Sequence, residues 1–185
     1  EEKAPNIWSI TRGDLTWVYI ERPTRAEIDT LAQKYPFFHP LNLDDCLSRI
    51  QRPKIDEYDE HLFLVLHFPV FDKQARVAQP SEVDIFIGHN FLVTVHCQGT
   101  LKPLAKLFKE CQLEDQVCRT YMDKGSGYLF YQVIDRLVDG IFPMLDRIND
   151  HIESLQDAVI SKPVPQTAQG ILVVRRDIIS MRRIV

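Results

Sequence analysis

Asp44 and Asp45 are adjacent carboxylates in HPLNLDDCLSRIQRPKIDEY, residues 39–58, inside an apolar helical pattern that Arg52-Pro53 cuts short. Hard divalent cations take carboxylate oxygens, and Mg2+ in particular is often held by one or two carboxylates plus water. Neighbouring helical positions point about 100° apart, so the two acids do not readily chelate one ion by themselves. They are either solvated surface or one wall of a site whose other wall lies elsewhere. Other chemistries find less support. His39, His61, His67, His89, His96 and His151 show no HExxH or HxH pairing, and no Ser or Cys sits in a nucleophile elbow. Gly125-Ser126-Gly127 lacks the GxxxxGK[ST] pattern and reads as a joint rather than a phosphate loop. Metal-assisted hydrolysis wants convergent ligands in one cleft, which adjacent acids on one helix do not supply. The chain is therefore expected not to be an enzyme.

The elements that position the acidic pair are legible around it. Residues 15–21 (LTWVYIE) are rich in β-branched and aromatic types and read as a strand, after which Thr24 and Glu27 stand at capping-box spacing. The helix of the acidic pair is expected to start near Pro40 and to stack Leu43 over Leu47 before Pro53 ends it. Strand-like runs follow at 54–58, 61–71, 83–87 and 91–95, the last two joined by a Gly88-His89-Asn90 hairpin loop. LFLVL at 62–66 is apolar on both alternating faces, as a central strand covered on both sides would be. Helices from about 101 to 122 would supply part of the cover.

From Gly127 the pattern changes. Apolar residues recur at Ile134, Leu137, Ile141, Leu145, Ile148, Ile152, Leu155 and Val159, one face of a long helix. Pro143 is expected to kink this helix rather than end it, because the pattern resumes in phase. Lys162-Pro163-Val164-Pro165 then forces a break, and Ile171, Val174, Ile178, Met181 and Val185 mark a second helix with no stop signal, expected to continue in a longer protein. The fold class is α/β: an α/β/α sandwich with a mixed sheet over residues 1–124, then a long antiparallel helical hairpin over 125–185. The hairpin is charged asymmetrically. Asp135, Asp139, Asp146, Asp150, Glu153 and Asp157 lie on the first arm, and Arg175, Arg176, Arg182 and Arg183 on the second. These read as solvated faces with interhelical pairing, or as an acidic field that gathers cations.

Composition narrows the partners. The 185 residues are 45% hydrophobic and 26% charged, enough for one sizeable core. A formal net charge of -4 argues against nucleic acid, whose binders need a cationic surface. Cys46, Cys97, Cys111 and Cys118 have no CxxC spacing and read as reduced thiols in a cytosolic compartment. The apolar run from Leu62 to Phe71 is far short of the roughly 20 residues that span a bilayer, so the chain as given reads as soluble.

In order along the chain, HPLNLDDCLSRIQRPKIDEYDEHLFLVL, EVDIFIGHNFLVTVH, GYLFYQVIDRLVDGIFPMLDRINDHIESLQDAV and RRDIISMRR resemble the pattern of the CorA-type divalent-cation channels. The likeness starts near Trp17 and covers nearly all that follows. It implies the cytosolic amino-terminal domain of a homopentameric cell inner-membrane protein, with the second arm of the hairpin as the start of a truncated stalk helix. The two membrane helices would lie in a missing carboxy-terminal part. It further implies that Asp44, Asp45 and Asp135, with a stalk acid of a neighbouring subunit, form weak regulatory Mg2+ sites between subunits. Asp44 stands where the family commonly has glutamate, which makes Asp45 the firmer ligand. The expected function is metal sensing and gating for a channel carrying Mg2+, Co2+ or Ni2+, with intersubunit Mg2+ holding the closed state. The alternative is a related zinc transporter, handling Zn2+.

Overall fold

The computed structural model of the protein describes residues 6–48, 51–72, 74–75, 77–97, 99–161 and 165–184. Two compact units make up the chain, Glu1–His67 with Ser81–Leu137, and Phe68–Pro80 with Val138–Val185. The boundary by compactness thus falls at 137/138.

A six-stranded mixed sheet runs β1-β2-β6-β5-β4-β3. β1 (Ile7–Arg12) and β2 (Leu15–Glu21) pair antiparallel through a two-residue turn in which Gly13 takes φ +54. A left-handed residue followed by Asp14 suits the twist of a tight hairpin. β2 then pairs in parallel with β6 (Phe91–His96), which pairs antiparallel with β5 (Val77–Gly88). β4 (His61–Asp72) and the short antiparallel β3 (Lys54–Glu57) complete the sheet. The strand buried along its whole length is β6. LFLVL does not occupy the centre: β4 lies one place from the edge, and Leu62 is 37% exposed.

Both faces of the sheet in the first unit are covered. On one, α1 (Arg25–Lys34) and α2 (Pro40–Asp45) bury Ile28, Leu31 and Leu43 with Val18, Ile20, Phe63 and Phe86. The capping box is formed, with Thr24 N donating to Glu27 Oε2 at 2.7 Å. On the other, Trp17 and Tyr19 pack on Phe108 of α3 (Lys102–Leu113), with ring centroids 5.0 and 4.8 Å apart. Each such fully buried aromatic contributes roughly 1.5–3 kcal/mol. α4 (Asp115–Met122) follows, and α5 (Ser126–Asp139) buries Leu129, Val133 and Leu137.

In the second unit α6 (Phe142–Ser161) and α7 (Pro165–Ile184) run antiparallel. The start of α6 meets the end of α7, where Met144 and Ile148 pack with Met181 and Ile184. The end of α6 meets the start of α7, where a Cβ on Gly170 would come within 2.3 Å of Leu155. The expected single kinked helix is two helices. Pro143 has no N–H for the Asp139 carbonyl and its ring would press on that carbonyl, so the chain turns at Gly140-Ile141, with Ile141 N donating to Val138 O at 2.9 Å. Pro143 thereby falls in the first turn of α6, where an N–H is not needed. Lys162–Val164, expected to break the helix, and Val185 lie outside the described residues. Among the described residues no helix is long and apolar enough to cross a membrane.

Candidate functional site

Local rules fix α2 before any metal is considered. Pro40 pre-sets the first helical φ, and His39 caps the helix by accepting Leu41 N at Nδ1, 3.2 Å away. Asn42 Nδ2 donates to Tyr58 Oη at 2.9 Å, and the Tyr58 ring is stacked between those of His39 and His61. Leu43 and Cys46 are buried below. The helix stops at Asp45, so Leu47 is not a further helical turn over Leu43. It lies in a turn closed by Leu47 N to Asp44 O at 3.0 Å. With Asn42, Leu43 and Cys46 committed inward, Asp44 and Asp45 are left facing out.

Each acid already holds a cation. Arg25 Nη1 lies 2.8 Å from Asp44 Oδ1, while its Nε pairs with Asp29 at 3.0 Å. Lys54 Nζ lies 2.9 Å from Asp45 Oδ2 and 2.9 Å from Asp56 Oδ2, above the ring of Phe63. Asp56 first, then Asp45, raises the Lys54 pKa against an opposing burial effect. Asp44 and Asp29 do the same for Arg25. Both cations are therefore shared between one acid of α2 and one acid outside it. Asp45 is the more sheltered of the pair, with 23% of its side chain exposed against 58% for Asp44.

A second set of acids lies behind α2. Glu82 and Asp84, two apart on β5, share a face of the sheet. Glu82 Oε2 accepts from Gln51 N and lies 3.3 Å from His67 Nε2, tying the segment after α2 to the sheet. Asp84 is fully buried, and neither of its carboxylate oxygens has a hydrogen-bond partner among the described residues. The neighbouring Cys46 thiol donates instead to Asn42 O at 3.2 Å, and Cys97 Sγ donates to Cys46 O at 3.0 Å. Burial first, then the charge of Glu82, pushes the Asp84 carboxyl well above the usual range. Burial also drives the Cys97 thiol up to about 12, so it stays protonated and a poor metal ligand.

Asp135 is exposed on α5. Among the described residues no three His, Cys, Asp or Glu side chains are arranged to hold a metal ion, so Asp44, Asp45 and Asp135 do not make a complete cage. The donor set of α2 fits Mg2+ in its commoner form, one or two carboxylates with retained water. Sequence reasoning missed Arg25 as a partner of Asp44 and missed the buried Asp84. Lys54 was in view within the Arg52-Pro53-Lys54 motif, but its role was not.

Residues 12–185 match the family described as CorA-like Mg2+ transporter protein. The cobalt/magnesium transport protein CorA of Thermotoga maritima is 26% identical over 169 residues, 91% of this chain and 47% of that protein. The chain spans about half the length of the curated relatives it matches. The soluble domain of CorA from Methanocaldococcus jannaschii superposes with a TM-score of 0.75 at 20% identity, covering 92% of this chain and 66% of that one. The ZntB cytoplasmic domain from Vibrio parahaemolyticus gives 0.61 at 14% identity, covering 100% and 71%. At these identities the two structures speak for the fold alone. With the family match running over nearly its whole length, the chain belongs to the CorA-like Mg2+ transporter proteins.

Proposed function

We propose that this chain is the cytosolic metal-sensing and gating part of a CorA-like Mg2+/Co2+ channel of the cell inner membrane, and that it has no enzymatic role. Asp44 and Asp45 would form one wall of a regulatory Mg2+ site, completed by a neighbouring subunit of a homopentamer, with exposed Asp135 as the third carboxylate of this chain. The observation that carries the proposal is the shared pairing at α2. When Asp44 and Asp45 turn to a dication, Arg25 keeps Asp29 and Lys54 keeps Asp56, so no side-chain cation is stranded. When bound, the metal supplies positive charge that offsets repulsion among carboxylates meeting across an interface. Without it, two such charges 4 Å apart repel by about 4 kcal/mol at an effective dielectric constant near 20. Asp44 and Asp45 then favour the separated, open arrangement.

The test is flux through the full-length protein in lipid vesicles, with Mg2+ varied on the side that the soluble part faces. Asp45→Asn should raise the half-inhibiting Mg2+ concentration at least about tenfold, a change worth about 1.4 kcal/mol. Inhibition identical to the unsubstituted protein would sink the proposal. The likeness to the ZntB cytoplasmic domain supports a second reading, a related zinc transporter. Zn2+ flux without Mg2+ flux in the same vesicles would decide for it.

A further inference from the structure

The second unit contains a cavity that cation sensing does not use. It has a volume of about 510 Å3 and is bounded by the ends of β4 and β5, by α6 and by α7. Met144, Arg147, Ile148 and His151 form its α6 wall, one face of the helix by their spacing. Val174, Asp177 and Met181 form the α7 wall, and Phe71 and Ala78 close the third side. The size lies within the roughly 300–1,000 Å3 of small-molecule sites, and so does the mix of apolar lining with a few polar groups.

The charge on this lining is the reverse of the chain's acidic balance. Asp177 is engaged by Arg176 at 3.0 Å. Arg147 lies with its guanidinium carbon 5.8 Å from the centre of the Phe71 ring, and no carboxylate among the described residues stands within ion-pair distance of it. His151 follows Arg147 one helical turn on. A divalent cation is repelled by such a wall. A neutral apolar ligand would bury the guanidinium donors without an acceptor, which costs about 1–3 kcal/mol. An organic monoanion meets both halves of the lining, its body on Met144, Ile148, Val174 and Met181 and its carboxylate on the planar fork of Arg147.

We propose that the cavity between the two hairpin arms binds a small amphipathic carboxylate, so that the protein answers to a second class of effector besides divalent cations. Because the cavity is walled by both arms, occupancy stabilises the arrangement in which they stay packed. Decanoate, decan-1-ol and decylammonium, titrated calorimetrically into the 185-residue chain below their aggregation limits, separate the possibilities. Decanoate should bind at least about tenfold tighter than decan-1-ol, and decylammonium should bind more weakly than either. Arg147→Gln, at an exposed position, should remove the preference for decanoate over decan-1-ol. Ala78→Phe, checked for folding by circular dichroism, should abolish binding of both by filling the cavity. Equal binding of acid and alcohol, decanoate affinity unchanged in Arg147→Gln, or no decanoate binding by about 1 mM would each overturn the assignment.

Discussion

Two pairs of acids in the first unit have the same chemistry and opposite fates. Asp44 and Asp45 sit at the rim of α2, each facing a cation that keeps a second anion in reserve. Glu82 and Asp84 sit behind that helix on β5, where Glu82 ties down Gln51 and Asp84 has no hydrogen-bond partner for either oxygen among the described residues. A carboxylate can trade one cation for another only where water and alternative partners make the exchange cheap. Burial removes both conditions, and at Asp84 it favours the neutral acid that keeps its proton. The rim pair is thus suited to exchanging cations, as the proposed sensing requires, and the buried pair to fixing the surface on which α2 stands.

The sharpest way to break this contrast is at Asp84. Folded Asp84 is protonated at pH values where the unfolded chain has released that proton, so its stabilising contribution is complete below about pH 4. It is lost as pH rises toward the raised folded pKa. Asp84→Asn carries no proton to lose. Its stability should therefore gain on the wild type by about 1.4 kcal/mol per pH unit above pH 4, until the folded pKa is reached. Urea midpoints at pH 5, 6 and 7 measure this, and a constant difference would mean that Asp84 is ionised in place.

His96 provides the next largest effect, of opposite sign. Buried on β6 with Nε2 2.8 Å from Tyr19 Oη and Nδ1 without a hydrogen-bond partner among the described residues, it has its pKa pushed down to about 4 by burial. Its contribution is present above about pH 6.5 and is lost as pH falls toward 4, about 3 kcal/mol in all. His96→Gln should remove that acid loss. Because the Asp84 and His96 slopes oppose one another, the wild type should vary less with pH between 4 and 6.5 than either variant. A wild type that is the steepest of the three would contradict both assignments.

At the rim the expected effects on stability are small, which is the other half of the contrast. A double-mutant cycle on Asp45→Asn and Lys54→Met should give a coupling below about 1 kcal/mol, since Lys54 keeps Asp56. Asp44→Asn should leave the unfolding midpoint within about 0.5 kcal/mol of the wild type. Larger losses would make α2 a structural brace rather than a place of exchange.

The sequence carried much of this, unevenly. Runs of alternating or continuous apolar residues gave four strands close to their observed places, and Thr24 with Glu27 announced the start of α1. β1 escaped because IWSITR neither alternates strictly nor runs continuously apolar, although Gly13-Asp14 is a hairpin signal in its own right. The acids of α2 were legible as adjacent carboxylates beside a proline stop. Their partners were not, because Arg25 precedes Asp44 by nineteen positions and meets it only when α1 and α2 share a sheet face. Asp84 stood within the strand-like run VDIFI with no signal that set it apart. The available clue was parity, since an alternation that buries Phe86 must bury Asp84 on the same face. Pro143 misled because an in-phase stripe records which faces match, not whether the backbone between them is continuous.

The parallel pairing of β2 with β6 sets an order of events during synthesis. β2 leaves the ribosome with β1 as its hairpin partner, but the strand that covers its inner edge begins at Phe91, about seventy residues later. At roughly 5–20 residues per second, that edge waits some 4–14 s before β6 exists to receive it, and the face of Trp17 waits longer still for Phe108. The β1-β2 hairpin is therefore the segment of this chain most in need of a chaperone while it is being made. A ribosome pause placed before β6 should lower the yield of folded protein more than the same pause placed after it.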